Sequence, residues 1–170
     1  MKAIFLNISA WIMLPFMDAI AKYLSSELPF FQITWARYFF TVFLVLPFMF
    51  FFYKYQLKWT ENPKLQFYRG LTLFFANICF FYSISIISMA KALTLAFVAP
   101  LITTTLSPFF LGEKVGIRRW SAVIVGFIGI LIVIRPGFIE FNLASFAAVG
   151  TGFFYGIYLI ITRKLHSTDS

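Results

Sequence analysis

The sequence predicts an all-α fold, a polytopic membrane bundle of about six transmembrane helices. Two observations on composition favour it: 61% of the 170 residues are hydrophobic and 12% are charged, whereas soluble domains average about 45 to 50% and about 25%. The third is a mean hydropathy of +0.89, together with repeated apolar runs near the roughly 20 residues that a helix needs to cross a bilayer. These observations exclude an ordinary soluble domain.

Six apolar segments are the predicted spans. They cover Ala3 to Leu24, Phe30 to Phe52, Leu71 to Met89, Ala92 to Leu111, Ser121 to Ile134 and Leu143 to Ile161. The fifth segment is short, and we expect Arg135 to lengthen it because a long basic side chain can reach the membrane interface.

The basic residues predict how the chain crosses the membrane. Ten of the fourteen Lys and Arg residues fall on one side if the spans alternate in direction. Both termini are therefore predicted to be cytoplasmic, in a multi-pass protein of the cytoplasmic membrane. The net charge of +8 does not predict a nucleic-acid partner, because the charges lie between spans and form no single basic stripe. The ten residues are Lys2, Lys54, Lys58, Lys64, Arg69, Lys114, Arg118, Arg119, Arg163 and Lys164.

The first span has a polar stripe. Helical spacing places Asn7, Trp11, Leu14, Asp18 and Lys22 on one face. Charged side chains at membrane depth are costly and persist by pairing or by facing protein or a wet cavity. Because Asp18 and Lys22 are four residues apart, we expect them to form an ion pair along the helix.

Arg37 in the second span adds a third charge to this hairpin. It lies about as far from the connecting turn as Asp18 does, so the two are expected at similar depth. A cluster of Asp18, Lys22 and Arg37 can attract an acidic or zwitterionic solute, or it can simply hold the hairpin together. An acid already paired to two cations is a poor proton carrier, which favours a binding or gating role for Asp18.

The fourth and sixth spans carry small and polar residues. Pro100 and Pro108 lack the N–H groups that would bond to the carbonyls of Ala96 and Thr104. The polar face of the fourth span either lines a solute path or contains Ser and Thr that repair the helix where proline kinks it. That face comprises Ala92, Ala96, Ala99, Pro100, Thr103 and Ser107, and the sixth span has its own small residues at Ala144, Ala148, Gly152 and Gly156, which permit close helix packing.

The third span offers Asn77, Tyr82 and Ser85 as hydrogen-bonding groups, for a ligand or for neighbouring helices. The chain has one His and one Cys, which cannot form a metal-binding cluster with the acids present. It contains no nucleophile elbow and no phosphate-binding glycine loop. We therefore predict that it is not an enzyme and needs neither a metal nor a cofactor.

Several motifs resemble the EamA-type repeat of the drug/metabolite transporter superfamily. They are the stretch from Ala99 through Ser107-Pro-Phe-Phe-Leu-Gly-Glu-Lys, Trp120, Gly126 to the Arg135-Pro-Gly ending at Gly137, and Met17-Asp-Ala-Ile-Ala-Lys-Tyr-Leu followed by Arg37. The resemblance covers residues 1–137 as one five-helix unit. Residues 138–170 would then be an outer loop and a sixth helix that begins a second, inverted repeat.

The resemblance implies a secondary transporter, an exporter of small metabolites, amino acids or drugs that works by alternating access. Members of this family usually have ten spans, so the chain is expected to be part of a transporter or a half-sized one that forms a homodimer. The alternative is a membrane subunit that does not transport. The expected partners are a small-molecule solute, membrane lipid and a second copy of the chain.

The resemblance also implies that the first, third and fourth spans line the solute path. This selects Trp11, Asp18, Lys22, Tyr82, Pro100 and Thr103 as substrate-binding residues, and Arg37 joins them as the third charge of the hairpin. Glu113 of the Leu-Gly-Glu-Lys motif is expected to anchor a loop at the cytoplasmic end of its helix.

Overall fold

The computed structural model describes residues 2–52, 61–134 and 142–168, and in these ranges it is helical without strands. The predicted all-α class is therefore confirmed. The helices are α1 (Lys2–Leu24), α2 (Phe30–Phe52), α3 (Pro63–Ile86), α4 (Met89–Ala96), α5 (Ala99–Leu111), α6 (Ile117–Ile134) and α7 (Leu143–Thr168).

Each of the six predicted spans is helical, with α4 and α5 together forming the fourth. Within the described ranges, four spans meet the length and hydropathy expected of a membrane crossing: α2, α3, α4 with α5, and α7. The third helix begins earlier than predicted, at Pro63, because proline suits the first turn of a helix, where its missing N–H would have no partner. The count of six crossings and their orientation stay predictions.

The buried core lies where α3, α4 and α7 meet. Phe81 and Ile84 of α3 are almost completely buried there against Ala92 of α4 and Ala144 and Ala148 of α7. Lipid is as apolar as a leucine side chain, so burying apolar side chains between membrane helices gives little stabilisation. Close van der Waals packing stabilises the contact instead, and small residues allow it. The small residues of the sixth predicted span therefore serve packing.

The α1–α2 hairpin and α6 lie around this core and are mostly exposed. Among the described side chains, those that are buried are Ala21 in α1 and Ile33 and Thr34 in α2. None of the described side chains of α6 is buried. Their large apolar side chains, such as Phe43 and Ile132, are open to the surroundings. In a bilayer these faces would contact lipid.

Candidate functional site

The fourth predicted span is broken at Phe97 and Val98, between α4 and α5. The sequence explains the break, because Pro100 cannot donate the bond that would join its turn to the Ala96 carbonyl. That carbonyl lies against α7, where a Cβ added to Gly152 would sit only 2.6 Å from the Ala96 oxygen. The two backbones can approach this closely only because residue 152 is glycine.

Thr103 completes the contact between α5 and α7. Its hydroxyl donates to the Ala99 carbonyl at 2.9 Å and lies 3.3 Å from the Gly156 carbonyl across the interface. A Cβ on Gly156 would be 2.9 Å from Ile102. Thr103 does not line the cavity described below and does not bond to the carbonyls of Ala96 or Thr104, so its position at this helix contact matches neither of the two interpretations of the face.

A cavity of about 410 Å³ opens between the α1–α2 hairpin and the packed helices. Its polar lining consists of the charged Asp18 and Arg37 with Asn77, Thr151 and Tyr155. The apolar lining comes from all the helices except α2 and α6, and includes Leu14, Pro15, Met17, Phe80, Met89, Leu93, Ala96, Phe97, Ala99, Pro100 and Leu159. The expected approach of Asp18 and Arg37 is confirmed, since both line one cavity, and Pro100 lies in the same wall.

The guanidinium of Arg37 is held by α3. It donates from Nη1 to Asn77 Oδ1 at 2.8 Å and lies 5.4 Å from the centre of the buried Phe81 ring. Asn77 is itself fixed, because its Nδ2 donates to the Leu73 carbonyl at 2.8 Å. Among the described residues, no carboxylate lies within 4.0 Å of Arg37, so Asp18 and Arg37 interact across the cavity without forming an ion pair.

The prediction that Lys22 pairs with Asp18 is wrong. Lys22 Nζ donates instead to the carbonyls of Ile84 and, at 3.2 Å, Ile87. These carbonyls lie where α3 ends and have no following helical turn to bond to, so they attract a cation. Lys22 therefore attaches α1 to the corner between α3 and α4 and leaves Asp18 facing the cavity.

Of the other two predicted site residues, Tyr82 is not among the residues that line the cavity. The side chain of Trp11 lies outside the described residues, although its backbone belongs to α1. Tyr82 is half-buried beside the core, with its ring edge-on to Phe30 at 5.3 Å. Sequence reasoning did not select Thr151 or Tyr155, which are four residues apart on α7 and both line the cavity.

Glu113 joins three helices at the opposite end of the bundle from the hairpin turn. Its Oε2 accepts from the buried Ser107 hydroxyl at 2.9 Å, contacts Arg119 at 3.3 Å and lies 4.0 Å from Arg163 of α7. The Ser107 hydrogen bond and the two guanidinium groups hold the pKa of Glu113 below its ordinary value. Gly112 ends α5 in the left-handed conformation, with φ of 66°, and positions this loop. The predicted anchoring role is confirmed.

Comparison with known proteins agrees with the resemblance seen in the sequence. The model of the EamA-like transporter family matches residues 1–135. The chain belongs to this family. Because the family consists of transporters, the predictions of a multi-pass membrane protein and of a protein that is not an enzyme are supported at the family level.

Curated relatives include an S-adenosylmethionine uptake transporter of Rickettsia bellii, 34% identical over 153 residues, which are 90% of this chain and 52% of the relative. The corresponding Rickettsia prowazekii protein is 31% identical over 171 residues, or 98% of this chain and 58% of the relative. A riboflavin transporter of Vibrio cholerae is 42% identical over 80 residues, which are 47% of this chain and 27% of the relative. The chain spans about half the length of the first relatives, and no solved structure matches it.

Proposed function

We propose that this chain forms part or all of a secondary transporter in the cell membrane, moving a small metabolite through the cavity between the hairpin and the packed helices. The observation that carries the proposal is a pair of opposite charges, Asp18 and Arg37, facing one cavity without a direct ion pair. A charge at membrane depth costs about 2.5 to 3.5 kcal/mol on insertion scales. A solute that brings its own charges would offset that cost.

The cavity chemistry favours a zwitterionic solute with an apolar or aromatic portion. Arg37 would receive a carboxylate and Asp18 a cationic group, while Phe80, Phe97 and Pro100 would contact the remainder. S-adenosylmethionine has these groups, and the Rickettsia relatives are named for its uptake. It is therefore the first solute to test, with riboflavin, which has no carboxylate, as the second.

The structure suggests which part would move during transport. The cavity lies between the loosely packed α1–α2 hairpin and the core, so tilting the hairpin would open or close it. We propose that both termini are cytoplasmic, that the cavity lies in the outer half of the membrane, and that a second copy or a second repeat completes the path. Lys22, Tyr82 and Thr103 would support the packing around the site.

Counterflow in liposomes tests the proposal. The 170-residue chain is reconstituted and loaded with unlabelled S-adenosylmethionine or riboflavin, and accumulation of the labelled solute is followed. We expect accumulation of S-adenosylmethionine and at least a tenfold slower rate for Asp18→Asn, which keeps the shape but removes the charge. If the folded wild-type chain exchanges none of an amino-acid and metabolite panel, it is not a whole transporter, and the proposal that a second copy completes the path is wrong.

A further inference from the structure

We infer that Asn77 is a positioning residue that determines whether the cavity recognises a carboxylate. This inference rests on the proposed function, and it concerns how Arg37 is kept available to a solute. Asn77 accepts a hydrogen bond from Arg37 and thereby holds the guanidinium on the α3 side of the cavity, away from Asp18.

One stripe of α3 builds this support. Leu73, Asn77 and Phe81 are four residues apart and therefore lie above one another on a helix face. The Leu73 carbonyl accepts from the Asn77 amide, the Asn77 oxygen accepts from Arg37, and the Phe81 ring lies under the guanidinium. The amide orientation is thus set from both sides, since its nitrogen and its oxygen each have a partner.

The support stabilises the cation without neutralising it. An amide oxygen and an aromatic ring both attract a guanidinium, but neither carries a net charge. Arg37 Nη1 is used by Asn77, and the other guanidinium nitrogens have no further hydrogen bond to the described residues. A carboxylate with two oxygens can bind such a group through two parallel hydrogen bonds.

A carboxylate in place of the Asn77 amide would neutralise Arg37, which could then no longer bind the carboxylate of a solute. Aspartate has nearly the shape of asparagine, and at 2.8 Å from Arg37 it would form an internal ion pair. The cavity would then hold Asp18 with no cation available to a ligand. Solute preference should shift from zwitterions toward cations that lack a carboxylate, because specificity is a difference between two affinities.

The test compares two ligands that differ in one group. Binding of S-adenosylmethionine and of its decarboxylated form is measured on the 170-residue chain in lipid nanodiscs. We expect the wild type to prefer the carboxylate-bearing ligand by about tenfold or more, and Asn77→Asp to lose or reverse that preference. Gln66→Glu is the matched control, an amide-to-acid change on the same helix away from the cavity wall, and it should keep the wild-type preference.

Asn77→Ala provides a second variant that adds no charge. It frees Arg37 to approach Asp18. The ratio of the affinity for S-adenosylmethionine to that for its decarboxylated form should then fall, because only S-adenosylmethionine has a carboxylate that loses Arg37 as its partner. The affinity for the decarboxylated form should change less. A structural role alone would lower both affinities together and leave the ratio unchanged. The inference is overturned by equal wild-type binding of the two ligands, or by an unchanged ratio in Asn77→Asp and Asn77→Ala. Failure of the wild type to bind either ligand would overturn the proposed function as well.

Discussion

The α1–α2 hairpin and the unit formed by α3, α4, α5 and α7 solve different problems with similarly apolar sequences. The packed unit buries alanine, serine, threonine and single large side chains such as Phe81, and its backbones approach to contact distance at Gly152. The hairpin is mostly exposed but supplies the two charges of the cavity, Asp18 and Arg37. The comparison indicates that the loosely packed hairpin supplies the charges, that the packed unit supplies most of the remaining lining, and that the cavity forms where they meet.

The packed unit should be the most sensitive to added volume. Gly152→Ala would place a Cβ 2.6 Å from the Ala96 carbonyl oxygen, so α7 must separate from the α4–α5 break. Overpacking a core typically costs about 1 to 3 kcal/mol, and here the clash is with backbone. We expect a clear fall in the thermal unfolding temperature in detergent and in the yield of folded protein.

Gly126→Ala is the control for that experiment. A Cβ at Gly126 meets nothing within 4 Å, and the helix propensity of alanine is higher than that of glycine. Its unfolding temperature should match or exceed that of the wild type. Equal stability of the two variants would mean that α7 does not pack against the break as closely as described.

The attachment of the hairpin should depend on Lys22. Lys22→Ala removes the hydrogen bonds to the Ile84 and Ile87 carbonyls. A hydrogen bond to a charged group typically contributes about 1.5 to 3 kcal/mol to stability. We expect faster hydrogen exchange in α1 and at the end of α3, with α7 much less affected. The measurement is exchange followed by mass spectrometry on the chain in nanodiscs.

Lys91→Ala serves as the matched change, since Lys91 lies in the neighbouring α4 and its side chain makes no hydrogen bond or ion pair with the described residues. It should leave α1 as protected as in the wild type. If Lys22→Ala has no more effect on α1 than Lys91→Ala, the hairpin is held by something other than these two hydrogen bonds.

Sequence reasoning located the helices well because lipid imposes strong constraints on composition. The start and end of α2 and the end of α1 agree with the predicted spans, since long apolar runs must be helical in a bilayer. The stripe of small residues on α7 also predicted close packing. The break between α4 and α5 was harder to predict, because a proline permits a kink without determining how wide the helix opens.

Side-chain partners were less predictable. The spacing of Asp18 and Lys22 is correct for an ion pair, but it does not reveal that the end of α3 presents two carbonyls to Lys22. The role of Asn77 depends on a contact between residues 40 positions apart, which one sequence alone does not show. A helical face can be inferred from periodicity, whereas the identity of the helix that meets it requires the fold.

Water access along α1 tests the central claim most directly. Leu14 lines the cavity, whereas Ile12 on the same helix does not and is 59% exposed to the surroundings of the bundle. Each is changed to cysteine in a Cys79→Ala background and reacted with a polar, membrane-impermeant maleimide in reconstituted vesicles. The account predicts labelling of Leu14→Cys, slowed by S-adenosylmethionine, and little labelling of Ile12→Cys in lipid. Equal labelling at both positions, or none at Leu14→Cys from either side, would contradict a solute cavity between the hairpin and the packed unit.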